Sequence, residues 1–448
     1  MKNKYVLESI WKNPPLLLGM SFLILIFVGA ILLNLPMASA NGESVGFVNA
    51  LFTSTSASCV TGLVVRNTAE GWSIFGKVII ISLIQIGGVG TMTIIAIISV
   101  LVGKKIGLRE RMVIREQLNM SSLTGMVKLI KFVLLSSLFI EFIGALLLSI
   151  RLIPIYGLGK GIAYSIFHGI SAFCNAGFDI FGNSLVDFHS DVLLNLVIAF
   201  LVILGGLGFT VYLDFTRKQE RKRLMPHTKL VLSTSFLLLF FGTVLLYILE
   251  KNNPGTVGSF SEKDKWLASF FQSAIFRTAG FNSINLAALN DSSKFVSIFL
   301  MFIGGSPAST AGGLKTTTMA ILIFGTIAGL KEHESVNIFH RKVPEEVVKK
   351  SFSIFFIATL LICAVAVGIV SIENNRFTFM EVLFETVSAF GTVGVTLGIT
   401  PELSAGSKLI LSLLMFLGRV GPTTFAMGLL HRGHKKRHRY AEGRFLVG

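Results

Sequence analysis

An all-α polytopic membrane protein is the fold class this sequence predicts, assembled from four repeats of long helix, short helix and long helix. Three observations carry that prediction. Of 448 residues, 52% are hydrophobic and only 14% are charged, little more than half the roughly 25% usual in soluble domains. Apolar runs of about 20 residues recur along the chain, long enough to cross a hydrocarbon core of roughly 30 Å at 1.5 Å per residue. Two glycine landmarks then return in register four times. With 44 glycines and 39 phenylalanines against 10 prolines, the composition suits closely packed membrane helices. It excludes a secreted disulfide scaffold, a disordered regulator and an ordinary soluble enzyme.

The opening helix of each unit is expected at about 16–37, 126–151, 228–250 and 351–371, and the closing helix at about 73–102, 192–216, 295–328 and 407–430. Repeats 16–102, 126–216, 228–328 and 351–430 follow, flanked by an N-terminus at 1–15 and a basic tail at 431–448. The first run begins near Leu16 behind Lys2, Lys4 and Lys12, lacks a small-residue cleavage site and reads as a retained helix. Eight spans put both termini on one side. The formal charge of +16 gathers after closing helices, at Lys104, Lys105, Arg109, Arg111 and Arg115, at Arg217, Lys218, Arg221, Lys222 and Arg223, at Arg341, Lys342, Lys349 and Lys350, and in the tail from Arg432 to Arg439. Lys and Arg held on the cytoplasmic side account for this pattern, so both termini are expected in the cytoplasm and no nucleic-acid partner is expected. Cys59, Cys174 and Cys363 lie far apart with no CxxC and no Cys/His ligand spacing, so neither disulfides nor zinc are expected.

Between the two spans of each unit lies a segment too short to cross: Gly46–Leu63, Gly161–Phe178, Lys265–Phe281 and Thr378–Val395. Aligned on their last glycine these end SASCVTGL, SAFCNAGF, AIFRTAGF and SAFGTVGV, placing Gly62, Gly177, Gly280 and Gly394 at one position. A second landmark follows in each closing helix, GGVG at 87–90, GGLG at 205–208, GGSP at 304–307 and GRVG at 418–421, its second residue lying 26, 29, 25 and 25 residues past the turn glycine. Internal repetition explains both. Non-helical backbone at membrane depth survives only where protein buries it or water bathes it. Four short helices whose carbonyl ends meet on one axis would make a cation site, since each such end carries roughly half a negative charge. Anions would require helix amino ends instead. The plainer reading is helix contact through small residues. The fold class is therefore four membrane helix–pore helix–membrane helix repeats around a pseudo-four-fold ion pore.

These four units, the single turn glycine in each and the stretch GGSPASTAGGLKTTT at 304–318 resemble the Trk/Ktr/HKT superfamily of potassium transporters, specifically the membrane subunit of a bacterial Ktr system. The likeness covers nearly the whole chain, and the lack of two extra N-terminal spans favours the Ktr branch. It implies K⁺ uptake through one gated pore in the cell membrane, a homodimer and a cytosolic ring of nucleotide-binding RCK-type subunits. No cofactor is expected to bind this chain. Carried over residue by residue, the selectivity filter would be Val60-Thr61-Gly62, Asn175-Ala176-Gly177, Thr278-Ala279-Gly280 and Thr392-Val393-Gly394, with K⁺ held at the carbonyls of the four glycines. One glycine per unit implies fewer ion sites than a longer carbonyl ladder, so passage or binding of Na⁺ is expected as well.

The stretch 304–318 departs most from four-fold symmetry. Gly304, Gly305, Pro307, Gly312 and Gly313 should break the third closing helix, at about 1 kcal/mol per glycine and about 3 for the proline. The resemblance makes this an intramembrane gating loop; a kinked helix without a gating role is the alternative. Lys315 in or beside the loop would repel a cation while the loop fills the pore. Arg419 stands deep in a span, where an unpaired charge costs roughly 2.5–3.5 kcal/mol, and carbonyls of the broken third helix are its expected partners, locking the gate. Arg277 precedes the third filter triplet and should brace it, with Glu385 or Glu381 as partner. No partner for Glu141 can be named from sequence. With no GxGxxG, P-loop or HExxH, an enzyme is not expected. An ion-coupled transporter of a small solute stays open as the alternative, although its repeats would be inverted or two-fold.

Overall fold

The computed structural model describes residues 14–90, 112, 126–216 and 224–421. The predicted basic loops at 104–115 (Met112 apart) and 217–223, the end of the first closing helix past Gly90, the end of the fourth past Gly421, the first 13 residues and the tail all lie outside the described residues.

The chain runs α1 (Pro14–Leu33), α2 (Phe47–Ser58), α3 (Ile74–Val89), α4 (Met126–Tyr156), α5 (Leu158–Phe173), α6 (Val192–Leu207), α7 (Phe209–Thr216), α8 (Pro226–Glu250), α9 (Glu262–Ile275), α10 (Asp291–Phe302) and α11 (Thr316–Leu330), then α12 (Glu345–Ile372), α13 (Phe379–Gly391) and α14 (Ala405–Val420). Between α11 and α12, β1 (Asn337–Ile338) and β2 (Arg341–Lys342) pair antiparallel. Phe339 and His340 make their turn with φ +48° and +59°, both positive as a two-residue hairpin loop of matching twist requires. This ribbon is the one sheet among the described residues. Helix starts are marked by side-chain caps at Ser73, Asp191, Ser261, Thr378 and Ser404, each satisfying a backbone N–H of the first turn.

Leu16–Leu33 of α1, Ile130–Tyr156 of α4, and helices α8 and α12 are long and apolar enough to cross a membrane. Their outward faces carry Phe139 and Phe142, Phe236 and Phe241, and Phe356 and Leu360, all exposed. Contiguous aromatic and aliphatic surface of this kind marks an interface, here with lipid. The closing segments of the second and third units are interrupted. Helices α3, α6 and α14 stop at Gly90, Gly208 and Gly421, the last residue of each landmark, where φ is +100°, +91° and +96°. No α-helix continues through such a residue. After Gly208, α7 departs at 86° from α6, so the expected single helix 192–216 is corrected to a bent pair. In the third unit Pro307 stands at this position, and the helix breaks between Phe302 and Thr316.

Packing runs in a circle. Each opening helix lies on the short helix of its own unit, α1 on α2, α4 on α5, α8 on α9 and α12 on α13. Each closing helix also lies on the short helix of the next unit, α3 on α5, α6 on α9 and α10 on α13, and α14 returns to α2.

Candidate ion site

Each short helix ends in the middle of the molecule and reverses through its glycine turn. Val60, Asn175, Thr278 and Thr392, the first residues of the four triplets, have φ of +57°, +61°, +80° and +51°. Positive φ is uncommon outside glycine and costs roughly 1–3 kcal/mol, so its recurrence at one position in four units identifies a built feature. The third residues, Gly62, Gly177, Gly280 and Gly394, also have positive φ, while Thr61, Ala176, Ala279 and Val393 between them do not. Backbone that alternates hand in this way turns successive carbonyls toward the same side. In three units the helix closes by a six-residue return bond, Thr61 N to Ser56 O at 2.7 Å, Ala176 N to Ser171 O at 2.7 Å and Val393 N to Ser388 O at 2.8 Å, the usual end for a helix whose next residue is left-handed. The hydroxyls of those serines clasp the turn as well: Ser56 Oγ accepts from Gly62 N at 3.0 Å, Ser388 Oγ accepts from Gly394 N at 3.1 Å, and Ser171 donates to Phe178 O at 2.8 Å. The third unit has Ala274 instead, and Ala279 N bonds Ile275 O at 3.0 Å.

The four turns close a ring. A Cβ on Gly62 would meet the backbone of Ala176 and Gly177, one on Gly177 that of Ala279 and Gly280, and one on Gly280 the Val393 carbonyl at 3.0 Å. A Cβ on Gly394 would meet Thr61 O and Gly62 Cα. Only glycine allows this approach. On one side of the ring lies a cavity of about 210 Å³ lined by all four glycines together with Asp179, Asn282 and Thr396.

The segment between α10 and α11 covers the site. It starts as a parallel bridge between Ile303 and Leu314, with Gly304 N donating to Leu314 O at 2.8 Å. Ser306 N donates to Gly206 O at 2.9 Å, Thr310 N to Gly205 O at 3.2 Å, and Phe209 N to Ala308 O at 2.8 Å, pinning the loop to the second landmark and its bend. Gly312 packs against the Thr392 side chain, and Gly313 against the backbone of Gly391. Arg419 reaches across from α14: one amino group donates to Thr310 O, the other to Gly87 O at 2.6 Å and Gly88 O at 3.2 Å. The loop thus touches units two and four directly and unit one through Arg419. The landmark glycines serve close approach: a Cβ on Gly87, Gly205 or Gly418 would strike the carbonyl of Ser58, Phe173 or Phe390, the same position of three short helices, whereas one on Gly304 would strike Gly312 of the loop.

Other predicted residues fall differently. Lys315, the residue before α11, donates to Ala311 O at 2.7 Å, so its ammonium is bound into its own loop. Arg277 pairs with neither Glu385 nor Glu381, which corrects the expected partner. Arg277 donates to Ser235 O at 3.3 Å and Ser235 Oγ at 3.2 Å on its own opening helix, leaving its buried Nε without a partner. Glu385 accepts instead from Leu397 N at 3.1 Å, from Thr400 at 2.8 Å and from Thr396, holding the strand that leaves the fourth turn, and Glu381 closes the capping box of α13. Glu141 has a partner after all: Gln85 Nε2 donates to both its oxygens at 3.1 Å. Gln85, Thr310 and the three clasping serines are site residues the sequence reading passed over. The serines alone carried a signal, recurring six residues before the turn glycine in three of the four aligned units.

A family model described as TrkH, cation transport protein, matches residues 11–430. The chain is 40% identical over 443 residues to the Ktr system potassium uptake protein B of Bacillus subtilis, spanning 99% of this chain and 98% of that one. It is 41% identical to the potassium/sodium uptake protein NtpJ of Enterococcus hirae, spanning 97% of each. The crystal structure of the potassium transporter TrkH from Vibrio parahaemolyticus shares the fold at a TM-score of 0.69 and 19% identity, over 91% of this chain and 84% of that one. With a family match over almost its whole length, full-length relatives near 40% identity and four long apolar helices, this multi-pass membrane protein belongs to the TrkH family of cation transport proteins.

Proposed function

We propose that this chain forms the pore of a potassium uptake system, admitting K⁺ through one gated, channel-like pathway. The observation that carries the proposal is the closed ring of four glycine turns, each at the carbonyl end of a short helix. Helix ends of that polarity favour a cation, and carbonyls held around one axis stand in for its lost hydration shell. In this reading α1, α4, α8 and α12 are opening spans, and α3, α6–α7, α10–α11 and α14 are closing spans, eight in all with both termini in the cytoplasm. The triplets beginning at Val60, Asn175, Thr278 and Thr392 are the filter, and the cavity above them is its outer vestibule. The loop with Gly304, Gly305, Gly312, Gly313 and Lys315 is the gate, and Arg419 locks it shut. No phosphate-binding motif supplies energy, and a membrane potential of 100 mV does so at about 2.3 kcal/mol per charge, roughly a fifty-fold concentration ratio. The names of the relatives, one of which carries sodium beside potassium, support K⁺ as cargo with Na⁺ as a second ion. Family resemblance extends the proposal to a homodimer regulated by a cytosolic RCK-type nucleotide-binding ring.

The test is ⁸⁶Rb⁺ uptake into liposomes containing the protein, with excess K⁺, Na⁺ or choline as competitor. K⁺ should suppress uptake far better than Na⁺, and choline not at all. Gly394→Ser, which puts a Cβ against the Thr61 carbonyl at φ +88°, should lower both uptake and K⁺ preference. If the isolated protein is closed, deleting 308–313 should make it leak; silence in both forms would refute the proposal.

A further inference from the structure

The loop does more than cover the ring, because one residue of it is joined by side chain to the turns themselves. Thr310 has all three of its polar atoms engaged: its N–H donates to Gly205 O at 3.2 Å, its carbonyl accepts from Arg419, and its hydroxyl donates to Phe173 O at 3.2 Å. The same hydroxyl lies 3.2 Å from the Asn175 side chain, the first residue of the second triplet. Asn175 is fully buried, and its amide is satisfied when the nitrogen faces Phe173 O, Val202 O and Thr310 Oγ1 and the oxygen accepts from Thr278 Oγ1 at 3.3 Å. Thr278 is the first residue of the third triplet. A continuous chain of hydrogen bonds therefore runs from loop to second turn to third turn.

The third turn is the one with the least support of its own. Ala274 offers no hydroxyl where Ser56, Ser171 and Ser388 clasp the other three. Its return bond is one residue shorter than theirs, and the φ of Thr278, at +80°, departs from the +51° to +61° of its counterparts. A turn without its own clasp leans more on its neighbours, and Asn175 is the neighbour that bonds its first residue, while Ser184 Oγ accepts from Asn282 N at 2.9 Å beyond the glycine.

We propose that Thr310, acting through Asn175, is a positioning residue for the third filter turn, so that preference for K⁺ over Na⁺ depends on the loop being seated. This rests on the reading of the ring as a filter and of the loop as its gate. When the loop leaves, Asn175 loses one of the three partners that fix its amide, and the register it gives Thr278, which shapes one quarter of the ring, is loosened. The open pore is then less discriminating than a rigid filter would be.

The experiment measures K⁺ against Na⁺ competition for ⁸⁶Rb⁺ uptake, as a ratio independent of total flux. Thr310→Val and Thr278→Val each remove one end of the relay and should each lower that ratio roughly fivefold, the factor carried by one neutral hydrogen bond. The double variant should do no worse than either single, since both cut one chain, and Thr310→Ser, which keeps the hydroxyl, should match the unaltered protein. Thr278→Val leaves the loop untouched, so an unchanged ratio there overturns the relay even if Thr310→Val fails to reach the membrane. Losses that multiply in the double variant overturn it too. Deleting 308–313 separates the two readings. Raised flux with a lowered ratio supports the relay, raised flux with an unaltered ratio overturns it while the gate stands, and unaltered flux removes the gate and the relay together.

Discussion

Adjacent glycines in one landmark have opposite demands on space. A Cβ at Gly205 would strike the Phe173 carbonyl and the Asn175 side chain, backbone and a buried amide that cannot withdraw, whereas a Cβ at Gly206 would find its nearest neighbour at 3.7 Å, ordinary contact. Gly205→Ala should therefore destabilise the protein by about 1–3 kcal/mol, the range for overpacking a tight core. Gly206→Ala should leave stability within about 1 kcal/mol of the parent, because better helix propensity offsets any crowding. Thermal unfolding in detergent checks the pair; equal losses at both positions would mean that the glycines serve helix flexibility and not close approach. At this scale the sequence was legible wherever a residue recurs at a fixed offset, as the turn glycines and the first landmark glycines do. It was illegible where the unit is unique. Thr310 meets Asn175 across 135 residues and Gln85 meets Glu141 across 56, and nothing local distinguishes those polar residues from solvated neighbours.

In the third and fourth units a buried carboxylate joins the end of the opening helix to the start of the closing one. Glu250, the last residue of α8, accepts from Asn290 N at 3.0 Å just before α10 begins. Glu373, the residue after α12, accepts from Ser404 N at 2.9 Å and from Ser407 Oγ at 2.5 Å at the start of α14. Burial works to raise the pKa of Glu373, but the hydrogen bonds from Ser407 and Ser404, with Arg376 nearby, outweigh it and hold the group below its ordinary value of 4.5. A folded-state pKa below the unfolded one gives stability that is fully present above the unfolded value and is lost as pH falls through the folded one. Glu373→Gln should thus cost about 1.5–3 kcal/mol at pH 7, the scale of a hydrogen bond to a charged group. That difference from the parent should shrink as denaturation is repeated at acid pH below the Glu373 pKa; a gap that stays constant would show the loss to be one of packing. Helix identity was readable from apolar runs, yet the ends of α3, α6 and α14 were not. Gly90 and Gly208 sit inside mostly apolar sequence, and Gly421 between Arg419 and Pro422, and whether such a glycine continues a helix or stops it at positive φ depends on what packs beside it. For Gly208 the neighbour is the Pro307 carbonyl of a loop a hundred residues away in the chain.

Four units closing on one another make the molecule's two faces inequivalent, and the direction of that asymmetry can be tested directly. The connections from opening helix to short helix, such as 34–46, lie at one end of the units, while the connection 331–344 between the third and fourth units carries Arg341 and Lys342. Charge retained on the cytoplasmic side predicts that the second kind of connection faces inward, and the odd number of proposed spans between the two then puts the first kind outward. Ser44 and Glu334 are both exposed, so Ser44→Cys and Glu334→Cys are suitable reporters in a background where Cys363, the exposed native thiol, is replaced by serine. A membrane-impermeant maleimide added to intact cells should label the cysteine at 44 and leave that at 334 unmodified until the membrane is opened. Cys59 and Cys174 are buried against the ring and should stay silent in both conditions. The same result would require an odd number of crossings between the two reporters. The proposal supplies five between them, counting α3, α4, the bent pair α6–α7, α8 and the broken pair α10–α11 once each. Labelling of both positions from outside would remove one of those crossings, and with it the assignment of a broken helix pair as a span.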